Sequence, residues 1–321
     1  MDEKHLTIKD IALEAKVGIG TVSRVLNNSS HITETTRKAV MDVIHAHNYQ
    51  PNGVAANLAR KTKSHPFIGI LLPDIANHYF FEVVETIYKV LKEQNIHLII
   101  LNYDEEDGQA IPRILETNLS ALMLFAVKPS EQELKLLTAR NVPYLYLDYF
   151  FPEANCIHMD NRLGGRLAAQ YLIDKKVRHP CFIHGDSKAL TDQDRYKGFR
   201  EAVREAGLEE PLTYNADFKE IFGYQLAKTL IAEGKTDGIF CFCDEQAIGV
   251  LKAIRESKAP IRVIGYDGIK ESEAWGLSTI SQNPVTIGHQ AAQAIINLMK
   301  QNPIAKTINI QLTPIVIDRD S

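Results

Sequence analysis

The chain has 321 residues, of which 45% are hydrophobic and 24% charged, and this length spans about two ordinary domains. One small domain is excluded, and so is a membrane span, because no run approaches the roughly 18 consecutive apolar residues it requires. The opening Met1-Asp2-Glu3-Lys4-His5 lacks the basic lead and apolar block of a secretory signal, so the expected location is the cytoplasm. Cys156, Cys181, Cys241 and Cys243 stand in apolar stretches without metal-ligand spacing and are expected to be reduced core thiols.

The formal net charge of −4 is unevenly spread. Residues 1–64 hold nine Lys and Arg against six Asp and Glu, leaving 27 against 34 in the rest. A small basic head on a large acidic body points to a polyanion-binding module joined to something else.

In the head, Ile8, Ile11, Ala12 and Ala15 recur at helical spacing behind Thr7 as N-cap. After a break at Lys16-Val17-Gly18, the stripe Thr21, Val22, Val25 and Leu26 predicts a second helix ending at Asn27-Asn28-Ser29-Ser30. Thr33, Thr36 and the run Arg37 to Ala46 predict a third, closing before Pro51. From Ser64 onward, apolar runs of strand length alternate with helix-length amphipathic stretches: Phe67–Leu72, His97–Leu101, Ala121–Ala126, Pro143–Leu147, Pro180–His184, Gly238–Cys243 and Arg262–Tyr266. The spacing of roughly 25 residues leaves room for a crossover helix each time, which predicts a doubly wound α/β body with parallel sheets.

Two short helices around a tight turn, the second carrying Thr21-Val22-Ser23-Arg24, form the pattern of a helix-turn-helix, with an ordinary three-helix bundle as the alternative. Phosphate loops, HExxH and GxSxG are absent from the sequence, and Gly18-Ile19-Gly20 follows no strand. Catalysis therefore has no anchor, and no cofactor or metal is expected.

Here the chain resembles the lactose and galactose repressor family of bacterial transcription regulators over nearly its whole length. The head motif runs Thr7-Ile8-Lys9-Asp10-Ile11-Ala12, Val17, Thr21-Val22-Ser23-Arg24-Val25-Leu26-Asn27 and Tyr49-Gln50-Pro51-Asn52, with Ala55, Leu58 and Ala59. The resemblance implies a small all-α helix-turn-helix head at 1–50, a hinge helix and linker at 51–64, and a two-lobed body of the periplasmic-binding-protein type at 65–321. The lobes would divide near 155–160, with later crossovers near 282 and 310. Carried over to this sequence, Ile19, Gly20 and Arg24 would read bases, with Thr21, Ser23 and Asn27 at or near phosphates. Thr7, Asn52 and Ala55 complete the DNA-contacting set, and Leu58 would wedge into the minor groove. The family usually has Gly where Lys16 stands and a hydroxyl where Gly18 stands.

In the body the marks are Asn77-His78-Tyr79-Phe80, Asp160-Asn161 before Gly164-Gly165, Arg195-Tyr196-Lys197-Gly198-Phe199, Asp244-Glu245-Gln246 and Gly265-Tyr266-Asp267. They imply an effector cleft in which Arg195 and Asp267 grip hydroxyls, with Tyr79, Phe80, Asp148, Gln282 and Phe218 around them. Each has a plainer alternative: a surface ion pair for Arg195, core packing for Phe218, a helix N-cap for Asp267. Cys243 stands where the family commonly has an Asn that binds effector. The stretch Asp104 to Ser120 is shorter than the family pattern, which shortens a helix without touching the cleft. Trp275 is expected to line or cover the cleft. The implied protein is a homodimeric repressor binding double-stranded operator DNA under control of a small polar effector, a sugar or sugar derivative. A protein corepressor and a sugar-binding receptor are the alternatives.

Overall fold

The computed structural model describes residues 7–26, 29, 31–47, 66–106, 108–117, 119–185, 187, 189–300 and 307–321. The chain forms two compact units, Met1–Ser64 and His65–Ser321.

The first unit holds three helices, α1 (Ile8–Glu14), α2 (Ile19–Leu26) and α3 (Glu34–Ala46). Their predicted apolar stripes meet in one small core of Ile11, Ala12, Val22, Val25, Val40 and Ile44. Thr7 caps α1: its N–H and hydroxyl donate to the Asp10 carboxylate at 2.7 and 2.6 Å. The turn between α1 and α2 is a Schellman closure, in which Lys16 N–H donates to Leu13 O and Val17 N–H to Ala12 O. That closure places Lys16 at φ +52°, a conformation that favours glycine.

The second unit contains two six-stranded sheets. In chain order its elements begin β1 (Phe67–Leu72), α4 (His78–Glu93), β2 (His97–Asn102), α5 (Ala110–Leu115), β3 (Leu119–Phe125), α6 (Glu131–Ala139), β4 (Tyr144–Leu147) and β5 (Cys156–Met159). There follow α7 (Asn161–Asp174), β6 (Pro180–His184), α8 (Leu190–Glu205), β7 (Leu212–Asn215), α9 (Glu220–Glu233), β8 (Gly238–Cys241), α10 (Asp244–Ser257) and β9 (Arg262–Asp267). The last are α11 (Lys270–Ala274), β10 (Ser278–Ser281), α12 (Pro284–Lys300), β11 (Asn309–Leu312) and β12 (Ile315–Ile317). The first sheet runs β11-β5-β4-β3-β1-β2 and the second β12-β10-β9-β8-β6-β7. All neighbours are parallel except β12, which lies antiparallel to β10.

The chain passes between sheets three times: after β5, between β10 and α12, and between β11 and β12. Helix α12 returns to the first lobe, where Ile287, Ala291 and Ile295 join the core of α4 and the first sheet. Five strands escape the periodicity reading: β5, β7, β10, β11 and β12. They are three or four residues long; β7, β11 and β12 are partly exposed sheet edges, the first two interrupted by polar residues and the last only three residues long, too short for an apolar run. The strand expected at Gly238–Cys243 stops at Cys241, and Cys243 instead caps α10. The strand expected at Ala121–Ala126 starts at Leu119 and ends at Phe125.

Candidate functional site

Between the lobes, where residues just past the ends of β1, β3, β4, β8, β9 and β10 come together, lies a cleft of about 700 Å³. Ligands of open α/β sheets bind at such carboxyl ends. All eight residues expected at an effector site line it: Tyr79, Phe80, Asp148, Arg195, Phe218, Cys243, Asp267 and Gln282.

Arg195 is delivered by α8, and glycines set its position. A Cβ on Gly165 of α7 would stand 1.9 Å from Arg195 O, and one on Gly198 would stand 1.9 Å from Arg162 O. Helices α7 and α8 therefore cross at backbone contact, which brings Asn161 under the guanidinium. The first turn of α8 is fixed by fully buried Asp192, which accepts from Gly185 N–H at 2.9 Å and pairs with His184 Nδ1 at 2.5 Å. Arg195 is 2% exposed, which removes the surface ion-pair alternative. Its Nε donates to Asn161 Oδ1 at 2.9 Å and its Nη1 to Phe242 O at 2.7 Å. Its guanidinium carbon lies 3.6 Å from the Tyr266 ring centre and 4.3 Å from that of Phe242. Stacking and hydrogen bonds hold the plane rigidly, as bidentate recognition of hydroxyls requires.

Asp267, 6% exposed, lies 4.0 Å from Arg195 Nη1. Its Oδ1 accepts from Gln282 Nε2 at 2.8 Å, and Gln282 Oε1 accepts from the Tyr79 hydroxyl at 3.3 Å. Asp267 does not cap a helix: Ile269 occupies the N-cap of α11. Burial lifts the Asp148 carboxyl to about 6 against the pull of Arg195, and burial raises Asp267 as well. Asp148, Asp267 and Ala126 all sit at positive φ, +71°, +121° and +50°. Three strands of the cleft thus end in non-glycine residues held in sparsely populated backbone, a feature that clusters at binding sites.

The Asp244-Glu245-Gln246 motif divides its labour. Asp244 Oδ2 accepts from Gly268 and Ile269 N–H at 2.8 and 3.0 Å, and burial lifts this carboxyl to about 7. Gln246 Nε2 donates to His184 O at 3.1 Å and Ala216 O at 3.2 Å, tying the ends of β6 and β7. Only Glu245 of the three faces the cleft, where it pairs with His78 Nδ1 at 2.7 Å.

Phe218 is 37% exposed beside Phe242, with ring centres 5.4 Å apart, and so presents a face rather than filling a core. Cys243 is 3% exposed; its thiol donates to Phe218 O at 3.4 Å, and burial pushes it well up, so it stays protonated. All four cysteines are buried and free.

Two expectations fail. Trp275 is not a cleft residue; its ring packs with the α10 core and carries Lys252 Nζ at 4.4 Å. The shortened 104–120 stretch does reach the cleft, because Glu105, like Tyr103 just before it, lines the wall. Asn161, Phe242 and Tyr266 emerge as the scaffold of Arg195. Asn161 and Tyr266 stood inside motif positions, whereas Phe242 read only as strand.

In the head, Ile19, Gly20 and Arg24 lie exposed on one face of α2 while Val22 and Val25 are buried on the other; Thr7 is exposed, and Thr21 and Ser23 are half-buried. A Cβ on Gly20 would meet nothing within 4 Å. Asn27, Asn52, Ala55 and Leu58 lie outside the described residues. Among the described residues no helix is long and apolar enough to cross a membrane, and no group of three His, Cys, Asp or Glu is placed to hold a metal.

A helix-turn-helix head and a two-lobed α/β body with a polar cleft form the architecture of a DNA-binding regulator. The model of bacterial regulatory proteins of the lacI family matches residues 7–52, and that of the periplasmic binding protein-like domain matches 169–321. The chain is 32% identical to the ribose operon repressor of Bacillus subtilis (strain 168), with 94% of each chain covered. It is 30% identical to the HTH-type transcriptional repressor PurR of Glaesserella parasuis serovar 5 (strain SH0165), covering 92% of this chain and 91% of the relative. A crystal structure of a LacI family transcriptional regulator from Enterococcus faecalis V583 with bound ribose matches with a TM-score of 0.72 at 25% identity, covering 79% of this chain and 97% of that one. The chain belongs to the lacI family of bacterial regulatory proteins: it is a DNA-binding transcription regulator of the repressor type, not an enzyme.

Proposed function

We propose that this regulator is a homodimeric repressor of a near-palindromic operator, released or engaged by a small polyol of the ribose class bound in the inter-lobe cleft. The observation that carries the reading is the convergence of Arg195, Asp148, Asp267 and Gln282 with the aromatic faces of Tyr79, Phe80 and Phe218 around one cavity. Fixed guanidinium and carboxylate groups suit vicinal hydroxyls, and aromatic faces suit the apolar side of a sugar ring. The relative and the solved structure whose names carry ribose support the same class.

For DNA, Ile19, Gly20 and Arg24 occupy the face of α2 that would enter the major groove, with Thr7, Thr21 and Ser23 beside it. Asn27, Asn52, Ala55 and Leu58 complete the proposed contact set. Exposed Phe81 and Tyr88 on α4, and Ile221 and Phe222 on α9, support a face for the second copy. The two effector states would differ in operator affinity by a coupling energy of typically about 1–3 kcal/mol.

Thermal unfolding of the full chain against pentoses, hexoses, polyols and purine bases tests the cleft. A ligand at 100 times its Kd adds about 2.7 kcal/mol and raises Tm. The expected result is a sugar hit that is abolished by Arg195→Ala. Silence from every sugar, or a hit that survives that change, overturns the reading.

A further inference from the structure

The described walls of the cleft carry six carboxylates, on Asp74, Glu105, Asp148, Asp217, Glu245 and Asp267, against two fixed cations, Arg195 and Lys219. They are arranged in depth. Asp74 and Glu105 of the first lobe and Asp217 of the second are exposed at the mouth; Asp148 and Glu245 stand farther in; Asp267 is buried on the floor. The positive groups are fewer and already engaged: Arg195 is the one buried cation of the described lining, and His78 pairs with Glu245. Two of Arg195's hydrogen bonds are already committed to Asn161 and Phe242, and its guanidinium is sandwiched between rings. Lys219 is exposed.

An entering anion meets acidic side chains on both lobes before it reaches the single buried guanidinium, and that guanidinium already faces Asp267 at 4.0 Å. A cleft with low-dielectric walls and one sign of charge concentrates that field and selects against ligands of like charge. We infer that the cleft is selective against anions, so that the effector is an uncharged or amine-bearing polyol and the phosphorylated or carboxylated form of the same sugar is rejected. The inference rests on the polyol reading above and narrows it from sugars in general to those without a negative group. The response then reports the free sugar rather than its phosphorylated form.

The test is calorimetric titration of the full chain with matched pairs, ribose against ribose 5-phosphate and glucose against glucose 6-phosphate, with glucosamine as the cationic probe. In whichever pair the free sugar binds, the phosphate should bind at least tenfold more weakly. The gap should narrow with added salt, because the mouth is solvent-exposed. It should also narrow in the Glu105→Gln, Asp217→Asn double variant, through a gain for the phosphate relative to its free sugar. A phosphate that binds as well as its free sugar overturns the inference and leaves the polyol reading standing, as does a gap unmoved by both salt and the double variant. Binding of none of the five overturns both.

Discussion

The hydroxyl of Tyr79, on the first helix of one lobe, donates to the side-chain carbonyl of Gln282, which lies where the chain leaves the other lobe. Because the same amide donates onward to Asp267, one relay joins a wall of each lobe at the point of crossing. Tyr79→Phe keeps the ring and removes the donor, leaving a buried amide oxygen unpaired. A loss of about 1 kcal/mol in effector affinity is expected, read as a several-fold rise in Kd by calorimetry. An unchanged Kd would show that the relay does not support binding.

Gly165 permits the α7–α8 crossing that seats Arg195. The Cβ of Gly165→Ala would meet Arg195 O and the Phe199 backbone, and forcing the helices apart typically costs about 1–3 kcal/mol. Tm should fall, and the remaining folded protein should respond more weakly to effector. A wild-type Tm would mean that the helices yield without strain.

The Asp148 carboxyl titrates near 6 rather than at its ordinary 3.8. The folded protein thus holds this proton more tightly than the unfolded chain, so the stability this group contributes is full below pH 4 and lost as pH rises through 6. Asp148→Asn should stabilise the ligand-free protein at pH 7.5 by at most about 3 kcal/mol, have almost no effect near pH 4, and weaken effector binding. Denaturant melts at both pH values would decide it; an equal shift at each would reject the titration as the cause.

Lys16 occupies the left-handed position that closes α1. Relieving that strain in Lys16→Gly should stabilise the head by roughly 1 kcal/mol, measured by hydrogen exchange of the Val22 and Val40 amides. Slower exchange is expected; faster exchange would indicate that the lysine side chain contributes more than its backbone costs.

On α2, Arg24→Ala should weaken operator binding by about 1–3 kcal/mol while affecting random-sequence DNA less. Equal losses on both would assign Arg24 to phosphate contact alone. Gly20 faces open space, so Gly20→Asn should leave folding intact and change which half-site is preferred in a selection from random sequences.

Much of this was legible in the sequence because it is local. Helical spacing located the head, and long apolar runs located β1 and β6 to the residue. The resemblance named eight residues that prove to share one cleft. What escaped depends on packing between distant segments. Trp275 lies near cleft motifs in sequence yet packs on the outer helix layer, and Phe242 reads as strand until the crossing of α7 and α8 places a guanidinium against its ring. The positive φ of Asp148 and Asp267 has no composition signal, since neither is a glycine.

The triple passage between sheets carries a consequence for biosynthesis. The first sheet is finished only when β11 pairs with β5, and its core only when α12 lands on α4. Multi-lobed chains ordinarily complete their amino-terminal part first as they emerge from the ribosome. Here the lobe that begins first is completed near the end, and a fragment stopping at residue 160 would expose an unpaired edge and an uncovered apolar face. Neither lobe is a transferable module, and a chimaera that exchanges one must exchange two separate stretches of chain.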